Sequence, residues 1–340
     1  MVNFALVGCG RIAPNHLDGI KNAPNARLVA VCDIIEEKAK KVALENGLST
    51  WYTDMEEMFE KEKIDVVCIL TPSGMHSDHA CIAAKHKINV LCEKPLDVTK
   101  EKMDKMIRVC HEEGVKLGGI FQRRKFSCAN FTKSLVEENK FGKITMADAY
   151  LKYYRDAEYY KSADWRATWE LDGGGAFMNQ GVHGIDLINW MSGGIESVYA
   201  RCETLQWDIE VEDTAVVLVK YKNGAMGVIE GATSVYPGLD TVFSIHGSEG
   251  SISFGDKGYY TFEFADKSIK KPDVVGSLGG DNCGYHSTNF GHIELIEDMA
   301  QAVRNDREPK IPGEEARKAV DIILAIYESA RTGKEVFIND

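Results

Sequence analysis

The first third of the chain alternates short apolar runs, rich in β-branched residues, with stretches of helical period. Five runs have strand character: Phe4–Val7, Leu28–Cys32, Val66–Leu70, Val90–Cys92 and Lys116–Ile120. Helical patterns lie between them, among them Glu36–Asn46 and Thr99–Glu113, each followed directly by a glycine. This alternation predicts βαβ units, a parallel sheet and right-handed crossovers.

Beyond Phe121 the pattern changes, because strand-like segments follow one another with turn signals between them. They are Ile144–Tyr154, Val198–Leu205, Thr214–Tyr221, Met226–Ala232, Thr241–His246, Ser251–Phe254 and Tyr259–Phe264. Ser268–Asn289 reads as a loop, and two helical stretches follow it, Ile293–Arg304 and Glu314–Thr332. We predict two domains: residues 1–121, with a doubly wound parallel sheet, and residues 122–340, an α+β domain with an open, mostly antiparallel sheet.

Composition excludes several classes of partner and site. The 340 residues carry a formal net charge of -12 without a basic cluster, which argues against nucleic acid or an anionic membrane as a primary partner. No apolar run is long enough to cross a membrane, and the N-terminus lacks a signal-peptide pattern. The 9 cysteines include no CxxC pair, so free thiols in a reducing, cytoplasmic setting are expected, and no metal site is predicted.

A glycine fingerprint, Gly8-x-Gly10-x-x-Ala13, joins the first strand to the first helix. Gly8 permits a tight turn, Gly10 admits a pyrophosphate, and the helix N-terminus attracts the phosphates. Asp33 closes the second strand near the spacing of a ribose-binding acid, and no basic residue follows it directly. These features favour NAD over NADP, although Asp33 could instead be a simple helix N-cap.

Two loops follow the next strands at the same expected edge of the sheet. The segment Thr71-Pro72-Ser73-Gly74-Met75-His76 follows the third strand, and His76 either contacts a cofactor there or faces solvent. Glu93-Lys94-Pro95 ends the fourth strand. A lysine beside a nicotinamide can donate a hydrogen bond to the reacting oxygen, whereas an ordinary surface lysine is the alternative.

A polar stripe marks the second half of the chain. After the glycines 173–175, Asn179, His183 and Asp186 are spaced i, i+4 and i+7 on an otherwise apolar helix. His183 is the natural general base for a secondary alcohol, and Asp186 could orient its ring; a structural histidine is the alternative. Arg166 is a candidate to bind substrate or cofactor oxygens, with a plain surface arginine as the alternative. Tyr285 is a weaker candidate for the same pocket, with simple packing as the alternative.

Together these motifs resemble the Gfo/Idh/MocA oxidoreductases, the glucose–fructose oxidoreductase and inositol dehydrogenase group. The resemblance covers nearly the whole chain and includes Trp165-Arg166 and the closing run Ala325–Gly333. It implies an N-terminal Rossmann domain and a C-terminal substrate and oligomerisation domain whose sheet pairs in dimers or tetramers. It also implies hydride transfer between NAD(P) and a secondary hydroxyl or keto carbon of a sugar, sugar derivative or cyclitol.

The resemblance assigns roles to individual positions. Lys94 matches the catalytic lysine and His183 the acid/base histidine. Positions that match the cofactor lining are Gly8, Gly10, Arg11, Ile12, Asp33, Thr71, Pro72, His76, Glu93, Lys94, Gln122, Trp165 and Arg166. Positions that match the substrate side are Lys94, Arg166, Asn179, His183 and Tyr285.

One position departs from the family pattern. Many members carry an aspartate four residues before the histidine, where this chain has Asn179. An amide cannot take a proton, so a mechanism that needs a carboxylate there would use another, such as Asp172 or Asp186. Two other functions remain open: an NAD-dependent glycosidase that passes through a transient keto sugar, and a non-catalytic regulator that senses the cofactor.

Overall fold

The computed structural model describes residues 1–272 and 289–338, which divide into two compact units. The first unit contains Met1–Gln122 and a later segment that ends at Arg317. The second contains the residues that follow Gln122 and the end of the chain from Lys318 onward. The sequence pattern gave no sign that a later segment returns to the first unit.

The β-strands fall into two sheets, one in each unit. The first sheet contains β1 (Val2–Val7), β2 (Ala26–Cys32), β3 (Val66–Ile69), β4 (Asn89–Cys92) and β5 (Leu117–Gly119). The second contains β6 (Ile144–Lys152), β7 (Ile195–Glu203), β8 (Thr214–Tyr221), β9 (Met226–Ala232), β10 (Val242–Gly247), β11 (Gly250–Gly255), β12 (Gly258–Phe264) and β13 (Val336–Phe337).

The helices complete the two units. In the first half of the chain they are α1 (Ala13–Asn22), α2 (Glu36–Glu45), α3 (Met55–Lys61), α4 (His76–Lys85), α5 (Lys100–Glu113) and α6 (Ser127–Glu137). In the second half they are α7 (Ala157–Lys161), α8 (Val182–Ser192), α9 (Asn289–Arg304), α10 (Gly313–Ala316) and α11 (Lys318–Thr332). Short 3₁₀ turns cover Ser73–Met75 and Gln122–Lys125, and a π-helical turn covers Ala176–Gly181.

The first sheet is parallel throughout, with strand order β2-β1-β3-β4-β5. Strands β1 and β3 are fully buried, as expected for a sheet with helices on both faces. The order reverses between β1 and β3, and ligands of such sheets bind outside the strand carboxyl ends at this reversal. The predicted doubly wound parallel sheet is therefore confirmed.

Helix α5 shows how local sequence sets these elements. Thr99 Oγ1 accepts a hydrogen bond from the N–H of Lys102 at 3.3 Å, which caps the helix start. Gly114 ends the helix in the left-handed conformation, with φ of 67°. Met103 and Met106, on one face, are buried. The predicted start and stop signals are both confirmed.

The second sheet is mostly antiparallel, in the order β12-β11-β10-β6-β9-β8-β7-β13. Within this second sheet, the pair of β6 and β9 is the one parallel pair among the described residues. Burial alternates along β8: Val217 and Val219 are buried, whereas Val216 and Leu218 are exposed. Helices α8 and α11 pack against β6 and β7. The predicted open, mostly antiparallel sheet is confirmed.

The chain end differs from the prediction in one detail. The expected single helix Glu314–Thr332 is divided into α10 and α11 at Arg317, where the chain leaves the first unit for the second. Of the helices in the described residues, none has the length and apolar character needed to cross a membrane. The predicted loop Ser268–Asn289 falls mostly outside the described residues.

Candidate cofactor and substrate sites

The glycine turn follows β1 directly and lies against the end of β3. Gly8 has φ of 103°, and a Cβ at this position would lie 2.7 Å from the carbonyl oxygen of Leu70. Only glycine satisfies both constraints. A Cβ on Gly10 would have no neighbour within 4 Å, so this backbone borders open space. The turn therefore leaves room for a ligand to approach its main chain.

The start of α1 adds hydrogen-bond donors to this space. Ile12 occupies the N-cap position without a side-chain cap, and Pro14 lies in the first turn. Within residues 1–272 and 289–338, no acceptor takes the N–H groups of Arg11 or Ile12. Free N–H groups at a helix start, together with the helix dipole, attract anions. The pyrophosphate of a dinucleotide fits this donor set.

Asp33 connects the end of β2 to the glycine turn. Its Oδ2 accepts the N–H of Cys9 at 2.8 Å, and its Oδ1 accepts the N–H of Ile35 at 2.9 Å. The N-cap residue of α2 is Ile35, so Asp33 is not the simple helix cap that the sequence left open. Burial, with a contribution from the Asp33 carboxylate, raises the pKa of the Cys9 thiol to about 12.

The loop after β3 is held by its histidine. His76 is only 1% exposed, so the solvent-facing alternative is wrong. One ring nitrogen lies 2.8 Å from the carbonyl oxygen of Thr71 and the other 2.8 Å from that of Pro95. Thr71 Oγ1 also lies 3.0 Å from His79 Nδ1, and Pro72 precedes the 3₁₀ turn. His76 thereby ties the loops after β3 and β4 together.

Glu93 anchors the start of the loop after β4. Its Oε1 lies 2.8 Å from Nε2 of His16, and its Oε2 accepts the N–H of Lys94 at 3.1 Å. His292 Nε2 lies 3.6 Å from the same Oε1. Burial acts to raise the pKa of Glu93, but the hydrogen bond from His16, with the nearby His292, holds it well below its usual range. A buried ionised carboxylate therefore fixes the backbone that carries Lys94.

This cluster also has the residue types of a metal site. The ligand atoms of His16, Glu93 and His292 lie within 4.8 Å of one another. Zinc at ~2 Å from each ligand atom would hold two tetrahedral ligands more than ~3 Å apart. The 2.8 Å contact between His16 and Glu93 is that of a hydrogen bond. The observed spacing fits a hydrogen-bonded network, and metal binding would require it to open.

All five strand ends of the first sheet carry positions singled out from the sequence. The glycine turn follows β1, Asp33 follows β2, and Thr71 follows β3. Lys94 is half-buried just after β4, and Gln122 opens the 3₁₀ turn after β5. The carboxyl ends of parallel strands meet at one edge, so the first unit gathers these predicted residues along its ligand edge.

The second unit holds a separate polar cluster around Asn179. The amide of Asn179 donates to the buried carboxylate of Asp172, and its oxygen accepts from the hydroxyl of Tyr159 at 3.2 Å. Arg166 donates to the Tyr159 oxygen at 2.9 Å and stacks on the ring of Trp165. The structure thus brings together three positions predicted from the sequence, Trp165, Arg166 and Asn179.

His183 lies one residue into α8 and is 8% exposed. The predicted uniform α-helical stripe is corrected in part, because Asn179 belongs to the preceding π-helical turn, which is wider than an α-helical one. A Cβ on Gly184 would clash with the side chain of Leu151 in β6, so α8 packs closely on the second sheet. His183 therefore sits on a tightly held helix.

Two buried partners were not anticipated from the sequence. Arg124 Nε donates to Asp186 Oδ2 at 2.8 Å, and both side chains are buried. Glu212 accepts the N–H groups of Gly175 and Phe177, each at 2.9 Å. Burial raises the pKa of Glu212 despite these hydrogen bonds. In the sequence, these contacts could have been indicated only by the acidic residues themselves, because a buried carboxylate needs a partner. The predicted Tyr285 lies outside the described residues.

Comparison with known proteins identifies the family. A model described as "Oxidoreductase family, NAD-binding Rossmann fold" matches residues 2–120, and one described as "GFO/IDH/MocA C-terminal domain" matches residues 131–253. The chain belongs to the Gfo/Idh/MocA family. It is an oxidoreductase with a nicotinamide cofactor, as the sequence predicted.

Solved structures and curated relatives of this family resemble the chain along its whole length. The WlbA dehydrogenase from Bordetella pertussis, in complex with NADH and UDP-GlcNAcA, is 32% identical with a TM-score of 0.89; the match covers 100% of this chain and 99% of that one. The WlbA enzyme from Chromobacterium violaceum is 33% identical over 99% and 96% of the two chains, also with a TM-score of 0.89. Myo-inositol 2-dehydrogenase of Thermotoga maritima is 26% identical over 100% and 99%.

Proposed function

We propose that this family member oxidises a secondary hydroxyl of a sugar, sugar derivative or cyclitol with NAD, or reduces the corresponding ketone. The observation that carries the proposal is Lys94, anchored through Glu93 at the ligand edge of the parallel sheet. Bound NAD supplies a hydride acceptor at its nicotinamide. The residues proposed to hold it are the glycine turn 8–13, Asp33, the loop after β3 and Gln122.

Lys94 and His183 are the proposed acid–base residues. The ammonium of Lys94 donates a hydrogen bond to the reacting oxygen and stabilises its developing negative charge. The imidazole of His183 takes the hydroxyl proton during oxidation and returns it during reduction. Lys94 is half-buried, and His183 is held on a packed helix, so neither side chain is fully solvated.

We infer a preference for NAD over NADP. The carboxylate of Asp33 is oriented by the N–H groups of Cys9 and Ile35 beside the glycine turn. An acid in this position accepts hydrogen bonds from the ribose hydroxyls and repels a 2′-phosphate. Both WlbA structures contain NADH, which supports the same preference.

The likeness to the WlbA enzymes supports a nucleotide-linked sugar acid as the first substrate to test. The purified protein would be given NAD with UDP-GlcNAcA, UDP-GlcNAc or myo-inositol, and reduced nicotinamide would be followed by absorbance. The proposal expects NADH to form with at least one of the three and to depend on that compound. If NAD binds but none of these compounds, nor a wider set of sugars, yields NADH, the proposed function is wrong.

We also propose that the exposed face of the second sheet joins copies of this chain in a dimer or tetramer. Leu218 in β8 is 57% exposed and Met226 in β9 is 66% exposed, with Val216 nearby on the same strand as Leu218. Such an apolar face is typical of an interface. Light scattering should give a multiple of the chain mass, and Leu218→Glu should reduce it. Leu205→Glu, in an exposed loop, is the control; a monomeric wild type would contradict this proposal.

A cytoplasmic location is proposed as well. Of the described cysteines, seven besides Cys128 are free thiols, and six of these seven are buried. Free thiols persist in reducing compartments. Fractionation of the producing cells should recover the protein with cytoplasmic enzymes, and recovery outside the cytoplasm would contradict this location.

A further inference from the structure

Two arginines of the second unit share one tyrosine ring. The guanidinium carbon of Arg166 lies 4.5 Å from the ring centroid of Tyr159, and that of Arg155 lies 5.3 Å from the same centroid. Because both distances are measured to one centroid, the separation of the two guanidinium carbons is smaller than the sum of the two distances. Gln180 connects them, because it accepts from Arg155 at 2.6 Å and donates to the Tyr159 oxygen at 2.7 Å.

The part of the chain that the structure describes offers these two charges no carboxylate partner. Across residues 1–272 and 289–338, neither Arg155 nor Arg166 forms an ion pair or a hydrogen bond with an acidic side chain. The buried Asp172 carboxylate of this cluster is bonded instead to the amide of Asn179 and the N–H of Ala167. Two guanidinium groups held near each other repel, and an anion between their donors would relieve that repulsion.

Both guanidinium groups keep hydrogen-bond capacity. Arg155 donates to the carbonyl oxygen of Tyr154 at 2.8 Å and to Gln180, and Arg166 donates to Ser162 Oγ at 2.9 Å and to Tyr159. Each group has five N–H donors, so these bonds use fewer than half of them. Both side chains are half-buried and stacked on aromatic rings. Stacking holds the donors in place, which lowers the entropy lost when a ligand binds.

We propose that Arg155 and Arg166 form a subsite for an anionic group of the substrate, with Tyr159 as their common platform. The inference rests on the proposed function, since it concerns the compound that this enzyme oxidises or reduces. A guanidinium fork pairs with carboxylate and phosphate oxygens alike. The subsite therefore selects acidic sugars or phosphorylated ones over neutral sugars and cyclitols, and Arg155 is its specificity-determining residue.

The test is calorimetric binding to the NADH-loaded protein, which needs no turnover. The probes are UDP-GlcNAcA, with a carboxylate and a diphosphate; UDP-GlcNAc, with the diphosphate alone; glucuronic acid, with the carboxylate alone; and myo-inositol, with neither. The variants are Arg155→Gln and Arg155→Lys. Arg331→Gln is the matched control, because Arg331 is an exposed arginine in the last turn of α11.

The wild type should bind at least one anionic probe, and Arg155→Gln should weaken that binding by ~10- to 100-fold, the scale of a hydrogen bond to a charged group. Loss confined to the two carboxylate probes identifies a carboxylate subsite, and loss confined to the two UDP compounds identifies a phosphate subsite. Arg155→Lys should retain part of the affinity, since it keeps the charge and loses the fork. Arg331→Gln should bind as the wild type does.

Three results would overturn the subsite. The first is a wild type that binds none of the anionic probes, and the second is unchanged affinity for the anionic probes in both folded Arg155 variants. The third is a variant that loses affinity equally for the anionic probes and for myo-inositol. If Arg155→Gln does not fold, Arg155→Lys alone decides, and unchanged affinity counts against the subsite. Failure of the proposed function has a different signature. Anionic probes would then bind and respond to Arg155, yet no compound would yield NADH.

Discussion

The amide of Asn179 donates a hydrogen bond to the buried carboxylate of Asp172. Where many relatives are expected to carry an aspartate, this chain has an amide, but a carboxylate still lies in direct contact with it. The same Asp172 accepts the N–H of Ala167 at 2.9 Å, one residue after Arg166. A single buried acid therefore fixes both Asn179 and the segment that carries Trp165 and Arg166.

Replacing that acid should disturb both segments. Asp172→Asn substitutes a donor for one acceptor oxygen, so one buried hydrogen bond is lost, at a cost of about 1–3 kcal/mol in the free energy of unfolding. We expect kcat/KM to fall by ~10-fold as the polar cluster loosens. Denaturant titration and steady-state kinetics check this. Asp164→Asn, at an exposed position, is the control, and a variant indistinguishable from it would show that Asp172 does not organise the cluster.

The cofactor preference is expected to depend on Asp33. Asp33→Asn keeps an acceptor for the N–H of Cys9 and removes the charge that opposes a 2′-phosphate. The ratio of kcat/KM with NADP to that with NAD should rise by ~10-fold or more. Asp54→Asn is the control, because Asp54 caps α3 and asparagine caps a helix equally well. An unchanged ratio in Asp33→Asn would assign the discrimination to another residue.

Lys94→Ala should separate chemistry from cofactor binding. We expect turnover to fall by ~10²-fold or more, the scale of acid–base and electrostatic contributions. Affinity for NAD, measured by calorimetry, should stay nearly intact. Lys100→Ala, at an exposed position in the first turn of α5, is the control. Near-normal turnover in Lys94→Ala would remove this lysine from the mechanism.

The free energy of unfolding should fall in acid because His16 and Glu93 both have lowered pKa values in the folded protein. The pKa of Glu93 is lowered in the folded protein, and burial lowers the pKa of His16. Both groups therefore stabilise the fold above their unfolded pKa values, about 4.3 and 6.5, and this stability is lost as the pH falls through the folded values. The free energy of unfolding should decline from about pH 6.5 downward.

Glu93→Gln should remove the carboxylate part of that decline. The variant should lose about 1–3 kcal/mol at neutral pH, because a buried hydrogen bond to a charged carboxylate is replaced by one to a neutral amide. Its stability should depend less steeply on pH below about 4.3 than that of the wild type. Glu60→Gln, at an exposed position of α3, should keep the wild-type slope. Equal slopes in wild type and Glu93→Gln would mean that Glu93 does not titrate with folding.

The first sheet was predictable because its signals are local. Apolar runs with helical patterns between them, the ends of α5 at Thr99 and Gly114, and the turn at Gly8 each depend on neighbouring residues. The carboxyl ends of parallel strands share one edge, so motifs far apart in sequence could be grouped before any distance was known. The antiparallel second sheet followed from strands without intervening helices.

The features of the fold and the sites that the sequence did not predict depend on contacts between distant segments. His292 reaches Glu93 because α9 packs against α1, and no local pattern indicates that pairing. The start of the π-helical turn before His183 is held by Glu212, a residue distant in sequence that accepts the N–H groups of Gly175 and Phe177. Arg155 carried no motif at all, and its place beside Tyr159 emerged only in three dimensions.

The most direct test of hydride transfer is the stoichiometry of the reaction with the best substrate of the panel. NADH formed and substrate consumed would be measured in the same sample, the first by absorbance and the second by chromatography. We expect one NADH for each substrate molecule oxidised, with a keto product. Substrate consumption without net NADH, or with cleavage of a glycosidic bond, would contradict it and favour a redox-neutral reaction in which NAD is regenerated.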